Sequence, residues 1–283
     1  MKTRHALLAK AAGWKGFFSG ILVCVFVVLL SVVYSFALEP IDGQLFGEID
    51  NQLATGQASQ ALQQLEKLQQ QWGARAEIFW RMAQGQYELG RRLGGKPRQD
   101  ELQQAEVYAR AAIAEDPTND EGYKWLAVAL GAKAEDADIG TQVNASRLVK
   151  ENIEKALALD PEDDISWLIL SRWHYKISQL GFFARTLAKI AYGGLPKASM
   201  ELAEKYLLRA IALHDRIAHR YNLAKVYARQ GKRSLAVDQL EKALSLPITF
   251  PEEVEDLEKV RRRLNEWREK QAKAAGQDLH SSQ

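Results

Sequence analysis

Residues Tyr221-Asn222-Leu223-Ala224-Lys225-Val226-Tyr227, followed by Gly231 and by AVDQLEKALSLP over residues 236–247, decide the fold. Large and small apolar residues recur at three- and four-residue spacing on both sides of the glycine, the period of two amphipathic helices. The glycine supplies the turn between them. Pro247 stops the second helix, because proline has no N–H to continue the ladder. Ala236 and Ala243 keep one face of that second helix small, so that another helix can approach it closely.

The same pattern recurs upstream. AEVYARAAIAEDP ends at Pro117, ASRLVKENIEKALALDP ends at Pro161 and AEKYLLRAIALHD ends at Asp215. Ala105 and Ala112, Ala156, and Ala203 and Ala210 stand in register with Ala236 and Ala243. Matching first helices carry Phe79, Met82, Ala83 and Gly90, then Tyr123, Leu126 and Ala127, then Trp167, Leu170 and Ser171. A weaker unit with Gly56, Ala61, Leu65 and Leu68 opens the array. This alternation is that of the tetratricopeptide (TPR) repeat. The sequence predicts an all-α, TPR-like α-solenoid of about five helix pairs over residues 39–250. Leu223 and Ala236 are 13 positions apart, but the equivalent spacings are 23, 23 and 33 in the three units before. Insertions of 10, 10 and 20 residues are therefore expected in the loops between paired helices. Val254, Leu257, Val260, Leu264 and Trp267 predict a capping helix over 251–275, and 276–283 reads as a tail.

The N-terminus has a different character. Gly16–Leu38 carries no charge and as a helix would measure about 35 Å, against about 30 Å of hydrocarbon. Lys2, Arg4, Lys10 and Lys15 precede it, and Glu39, Asp42, Glu48 and Asp50 follow. The positive-inside rule predicts a transmembrane helix at 16–38, a cytoplasmic stretch at 1–15, and repeats on the opposite side (the periplasmic face of the inner membrane, in a bacterium). A cleaved signal peptide is the other reading, with Ser35 and Ala37 placed for a cut after Ala37.

Chemistry is sparse. The chain has 283 residues, 38 basic and 36 acidic, and a net charge of +2, which argues against a generic nucleic-acid binder. Four of the basic and none of the acidic residues precede residue 39, so the remainder is slightly acidic. The single cysteine, Cys24, excludes a disulfide framework and a thiolate zinc site. His5, His174, His214, His219 and His280 form no i, i+4 pair, and no phosphate-binding, dinucleotide or nucleophile-elbow motif is present. No enzyme activity, catalytic residue, cofactor or metal is expected. The inner row of first helices is instead expected to present Lys124, Arg172, Tyr175, Lys176, Lys225 and Arg229 to a protein or anionic partner. Leu180–Pro196 predicts a short amphipathic helix with Phe183, Leu187, Ile190 and Ala191 on one face. That face is expected to pack its aromatics on the repeats. The alternative is a lipid-handling module, in which Phe182–Tyr192 and the repeats enclose an acyl chain and the groove meets an anionic lipid.

From about Gly122 to Trp267 the chain resembles the regulator of microtubule dynamics family of TPR-like proteins. The matching features are Tyr123-Lys124-Trp125, Lys150-Glu151-Asn152-Ile153 with Lys155-Ala156-Leu157 and Asp160-Pro161, and Arg172-Trp173-His174-Tyr175. The insertion with Arg185, Ala188, Lys189 and Pro196, and Asn222 through Tyr227, extend the match. The resemblance implies a membrane-anchored, all-helical scaffold without enzyme activity, in a tethering or adaptor role.

Overall fold

The computed structural model describes residues 43–249 and 252–281. Residues 48–283 form one compact unit. Among the described residues there are twelve helices and no strand. α1 (Gly43–Ala54) and α2 (Ala58–Trp72) come first, followed by the packed pairs α3 (Ala76–Gly90) with α4 (Gly95–Glu115) and α5 (Asp120–Lys133) with α6 (Ile139–Leu159). In the next pair, α7 (Asp164–Ser178) and α9 (Met200–Leu213) are separated in sequence by α8 (Phe182–Tyr192). The last pair is α10 (Ile217–Arg229) with α11 (Arg233–Ser245), and α12 (Glu252–Ser281) follows. This is the expected TPR-like stack.

Small residues make it possible. Ala105, Ala109, Ala112, Ala203, Ala210, Ala236 and Ala243 are completely buried in the second helices. At Gly85 on α3, an added Cβ would lie 2.9 Å from the Leu62 side chain of α2, so the crossing of α2 and α3 requires glycine. Gly231, the turn residue of the opening stretch, has φ +78°. It lets Lys232 N–H bond back to the carbonyl of Tyr227 at 2.9 Å, closing α10. Larger side chains fill the seams: Leu223, Leu240, Val260 and Leu264 share one core, and Leu126, Ile153, Leu170 and Trp173 share another.

Two of the three insertions take an unexpected form. The 10-residue surpluses are not loops. They lengthen the second helices, so that α4 and α6 each run 21 residues against 13 in α11. Their N-termini explain this. Pro97 falls in the first turn of α4, where its missing N–H costs nothing. Asp138 caps α6 by accepting from Thr141 N–H at 3.1 Å.

The third insertion holds α8, with its faces reversed from expectation. Phe182, Phe183 and Ile190 are 86%, 81% and 80% exposed, and Ala188 is the buried residue. The helix is fixed by other means. Arg185 Nε donates to the Leu180 carbonyl and Nη2 to the Ile177 carbonyl, both at 2.9 Å, covering the end of α7. Arg147 of α6 donates to the carbonyls of Tyr192 and Gly194. Gly140 admits the Tyr192 ring, 2.7 Å from where a Cβ would stand. The exposed aromatics do not line an enclosed space, so nothing here supports the acyl-chain alternative.

In α12, Leu257, Val260, Leu264 and Trp267 are buried against α10 and α11, while Val254 is 45% exposed. The helix runs on to Ser281, past the expected boundary at 275.

Gly16–Leu38 lies outside the described residues, as do the basic stretch before it and Cys24. Among the described residues, no helix is long and apolar enough to cross a membrane. The expected single-pass localisation, with a cytoplasmic N-terminus and exported repeats, is corrected by this finding. The long helices α4 and α12 carry charged residues at nearly every turn, and α6 carries five between Arg147 and Lys155, which suits packed amphipathic helices and not a hydrocarbon interior.

Candidate functional site

The first helices α3, α5, α7 and α10 set side chains next to one another along one row. Arg172 comes from the middle of α7 and Asn222 and Lys225 from α10. Arg172 Nε approaches Asn222 Oδ1 at 3.4 Å, and Asn222 Nδ2 donates to the Ala218 carbonyl at 2.7 Å. The amide is thereby oriented with its oxygen toward the guanidinium, and the two terminal nitrogens of Arg172 stay available. Lys225 Nζ lies 5.1 Å from the centre of the Tyr175 ring and 5.7 Å from that of Tyr221, so two ring faces position it.

The electrostatics are one-sided. Arg172 is exposed, and the protein packed around its guanidinium pulls its pKa below the usual arginine value. The Lys225 pKa is also lowered, first by burial and then by the neighbouring charges of Arg172, Arg263 and Lys259, with Asp256 opposing. Among the described residues, no carboxylate oxygen lies within 4.0 Å of Arg172 or Lys225. The acids nearby already have partners. Glu255 and Asp256 each accept from Lys259 at 3.0 Å, and Glu255 also lies 3.8 Å from Arg91 at the end of α3. Arg263 pairs with Glu266 at 3.3 Å. Tyr87 of α3, whose pKa is raised chiefly by burial, lies within electrostatic range of Arg172 and stacks obliquely on Trp125 of α5 at 5.8 Å.

Of the six residues singled out in the sequence, Arg172, Tyr175 and Lys225 come together here. Lys176 and Arg229 stand one helical turn further along α7 and α10, exposed and without an ion pair among the described residues. Lys124 is different. It is buried, 2.5 Å from Glu121 and 3.1 Å from Asp163, and holds α5 to the start of α7. Its ammonium is kept charged by these carboxylates despite burial, and it ties α5 to the start of α7.

As candidate site residues, Tyr87, Tyr221, Arg91, Lys259 and Arg263 were not singled out. Periodicity places Tyr87 and Tyr221 on helix faces, but no local signal says that α12 brings Lys259 and Arg263 beside Lys225. His174, a packing position in its unit, is buried, and its Nδ1 accepts from Ser199 N–H at 3.3 Å. Among the described residues, no group of three or more His, Cys, Asp or Glu side chains is placed to hold a metal ion.

Comparison with known proteins agrees with the architecture. A thermophilic TPR protein of Thermus thermophilus superposes with a TM-score of 0.59 over 80% of this chain and 98% of its own, at 19% identity, which speaks for the fold alone. Regulator of microtubule dynamics protein 3 of Xenopus laevis is 29% identical over 187 residues, covering 65% of this chain but only 40% of the frog protein. Regulator of microtubule dynamics protein 1 of Caenorhabditis elegans is 26% identical over 203 residues, 71% of this chain and 90% of the nematode protein. The family model described as regulator of microtubule dynamics protein 1-3 matches residues 45–268, nearly the whole helical stack, and the chain belongs to that family.

Proposed function

We propose that this chain is a non-catalytic scaffold that holds an acidic segment of a protein partner along its inner row of helices, centred on Arg172 and Lys225. The observation that carries the reading is the absence of a counter-charge. Among the described residues, these two cations have no carboxylate in contact, while Lys259 and Arg263 are paired. Cations without a counter-charge in contact concentrate an anion from outside. Lys176 and Arg229 extend the track by one turn, and Tyr175 and Tyr221 supply flat apolar surface beside it. A family of TPR-like architecture, in which stacked helix pairs present extended binding surfaces, fits this reading.

The test is fluorescence anisotropy of a labelled glutamate-rich peptide with the full chain. The unmodified protein is expected to bind, and more weakly as salt rises. The double variant R172E/K225E is expected to lose at least about tenfold in affinity. A control, K96E, alters an exposed lysine paired only with Asp100 and is expected to bind normally. Equal binding by R172E/K225E and the unmodified protein would overturn the proposal.

A further inference from the structure

The donor set around Lys225 is more specific than an acidic segment requires. Four cations act there: Arg172 from α7, Lys225 from α10, and Lys259 and Arg263 from α12. Lys259 is paired with Glu255 and Asp256, and Arg263 with Glu266. Among the described residues, Arg172 and Lys225 have no carboxylate in contact and offer the two terminal guanidinium nitrogens and one ammonium. A carboxylate has two acceptor oxygens for these donors, whereas a phosphate monoester has three and carries about −1.5 to −2 at pH 7.

The donors are also arranged for it. With its Nε turned to Asn222, Arg172 presents Nη1 and Nη2 as an end-on fork. That is the geometry in which a guanidinium takes two oxygens of one anion. Lys225 is held by ring faces and not by a protein acceptor, so its three N–H groups are unspent.

We propose that the Arg172–Lys225 pair is a receptor for a phosphorylated side chain carried by the partner's segment. This rests on the scaffold reading above and deepens it. The partner's binding is then conditional on its phosphorylation. Lys259 and Arg263 add to the surrounding positive potential, and Asp256 opposes it.

The experiment titrates three versions of one acidic peptide, with serine, aspartate or phosphoserine at its centre, into the full chain by isothermal calorimetry. The phosphoserine form is expected to bind about tenfold or more tighter than the aspartate form. R172K keeps the charge but removes the fork. It is expected to erase most of that preference while still binding the aspartate peptide. Inorganic phosphate, titrated alone, is expected to bind far more weakly than the phosphopeptide. Equal affinity for the aspartate and phosphoserine peptides overturns this inference and leaves the scaffold reading standing. Inorganic phosphate binding as tightly as the phosphopeptide also overturns it, by assigning the pair to a free anion. If none of the three peptides binds, the scaffold reading itself fails.

Discussion

At the scale of single residues, the chain uses the same polar groups for structure and for charge control. Asp163 shows how much can rest on one carboxylate. It caps α7, accepting from Ile165 N–H at 3.1 Å and Ser166 N–H at 3.2 Å, and it also receives the buried Lys124. Burial alone would raise its pKa, but Lys124 and the cap bonds hold it below the usual aspartate value. Asp163→Ala removes the cap and leaves a buried ammonium with one partner fewer. A loss of about 2–5 kcal/mol in unfolding free energy is expected, measured by urea denaturation. His174 supplies a pH dependence. Its Nδ1 accepts from Ser199 N–H, so the folded state holds the ring neutral, and burial with nearby Lys150 lowers its pKa, with Glu154 opposing. The folded pKa is below the unfolded one, so the stabilisation is complete above about pH 6.5 and is lost as pH falls through the folded pKa. Denaturant midpoints between about pH 7.5 and 5 are expected to fall in the unmodified protein and to fall less in His174→Gln. His219, whose pKa is also lowered chiefly by burial, keeps the residual slope above zero.

At the scale of helices, the alternation of large and small residues made the pairs legible, and alanines and prolines marked their limits. Two features were not legible, for different reasons. The added residues before α4 and α6 look like loop insertions when spacing is counted. They become helix because Pro97 and Asp138 start a helix earlier than the repeat pattern does. In α8, amphipathicity announced a helix but not which face would turn inward. The rule that large apolar residues go inside fails, because Ala188 and the Tyr192 contact at Gly140 set a close approach that bulk would prevent. The stabilising bonds come from Arg147, 45 positions away from Tyr192, a pairing no local pattern reports. A direct check follows. Phe182→Ser and Phe183→Ser are each expected to change the thermal unfolding free energy by no more than about 0.5 kcal/mol, as at open surface. Ala188→Leu is expected to cost about 1–3 kcal/mol through overpacking. A large loss in either serine variant would restore the aromatic face to the core.

At the scale of the whole stack, the site is a product of tertiary arrangement. Arg172, Tyr175 and Lys225 could be picked out because inner helices of a repeat array share a wall. Lys124 was picked out by the same logic and is paired with Glu121 and Asp163 instead of lying beside Arg172, since register gives a direction but not the carboxylates waiting there. The surrounding Tyr87, Lys259 and Arg263 come from helices far away in sequence and become neighbours only when the units stack. Arg91 and Glu255 make the longest such approach, from the end of α3 to the start of α12. The pair is solvent-exposed at Glu255, so Glu255→Gln is expected to change stability by under about 1 kcal/mol, read from the denaturant midpoint at low and high salt.

The completely buried alanines of the second helices have one more consequence. They stand behind the wall that carries Arg172 and Lys225, and the approach they permit fixes how far apart neighbouring first helices lie. Replacing one with valine would push a whole helix outward and change the reach between the two cations without altering either. Over evolutionary time, then, the spacing of these two side chains can drift through silent-looking changes on the far side of the wall, with every inner side chain unchanged.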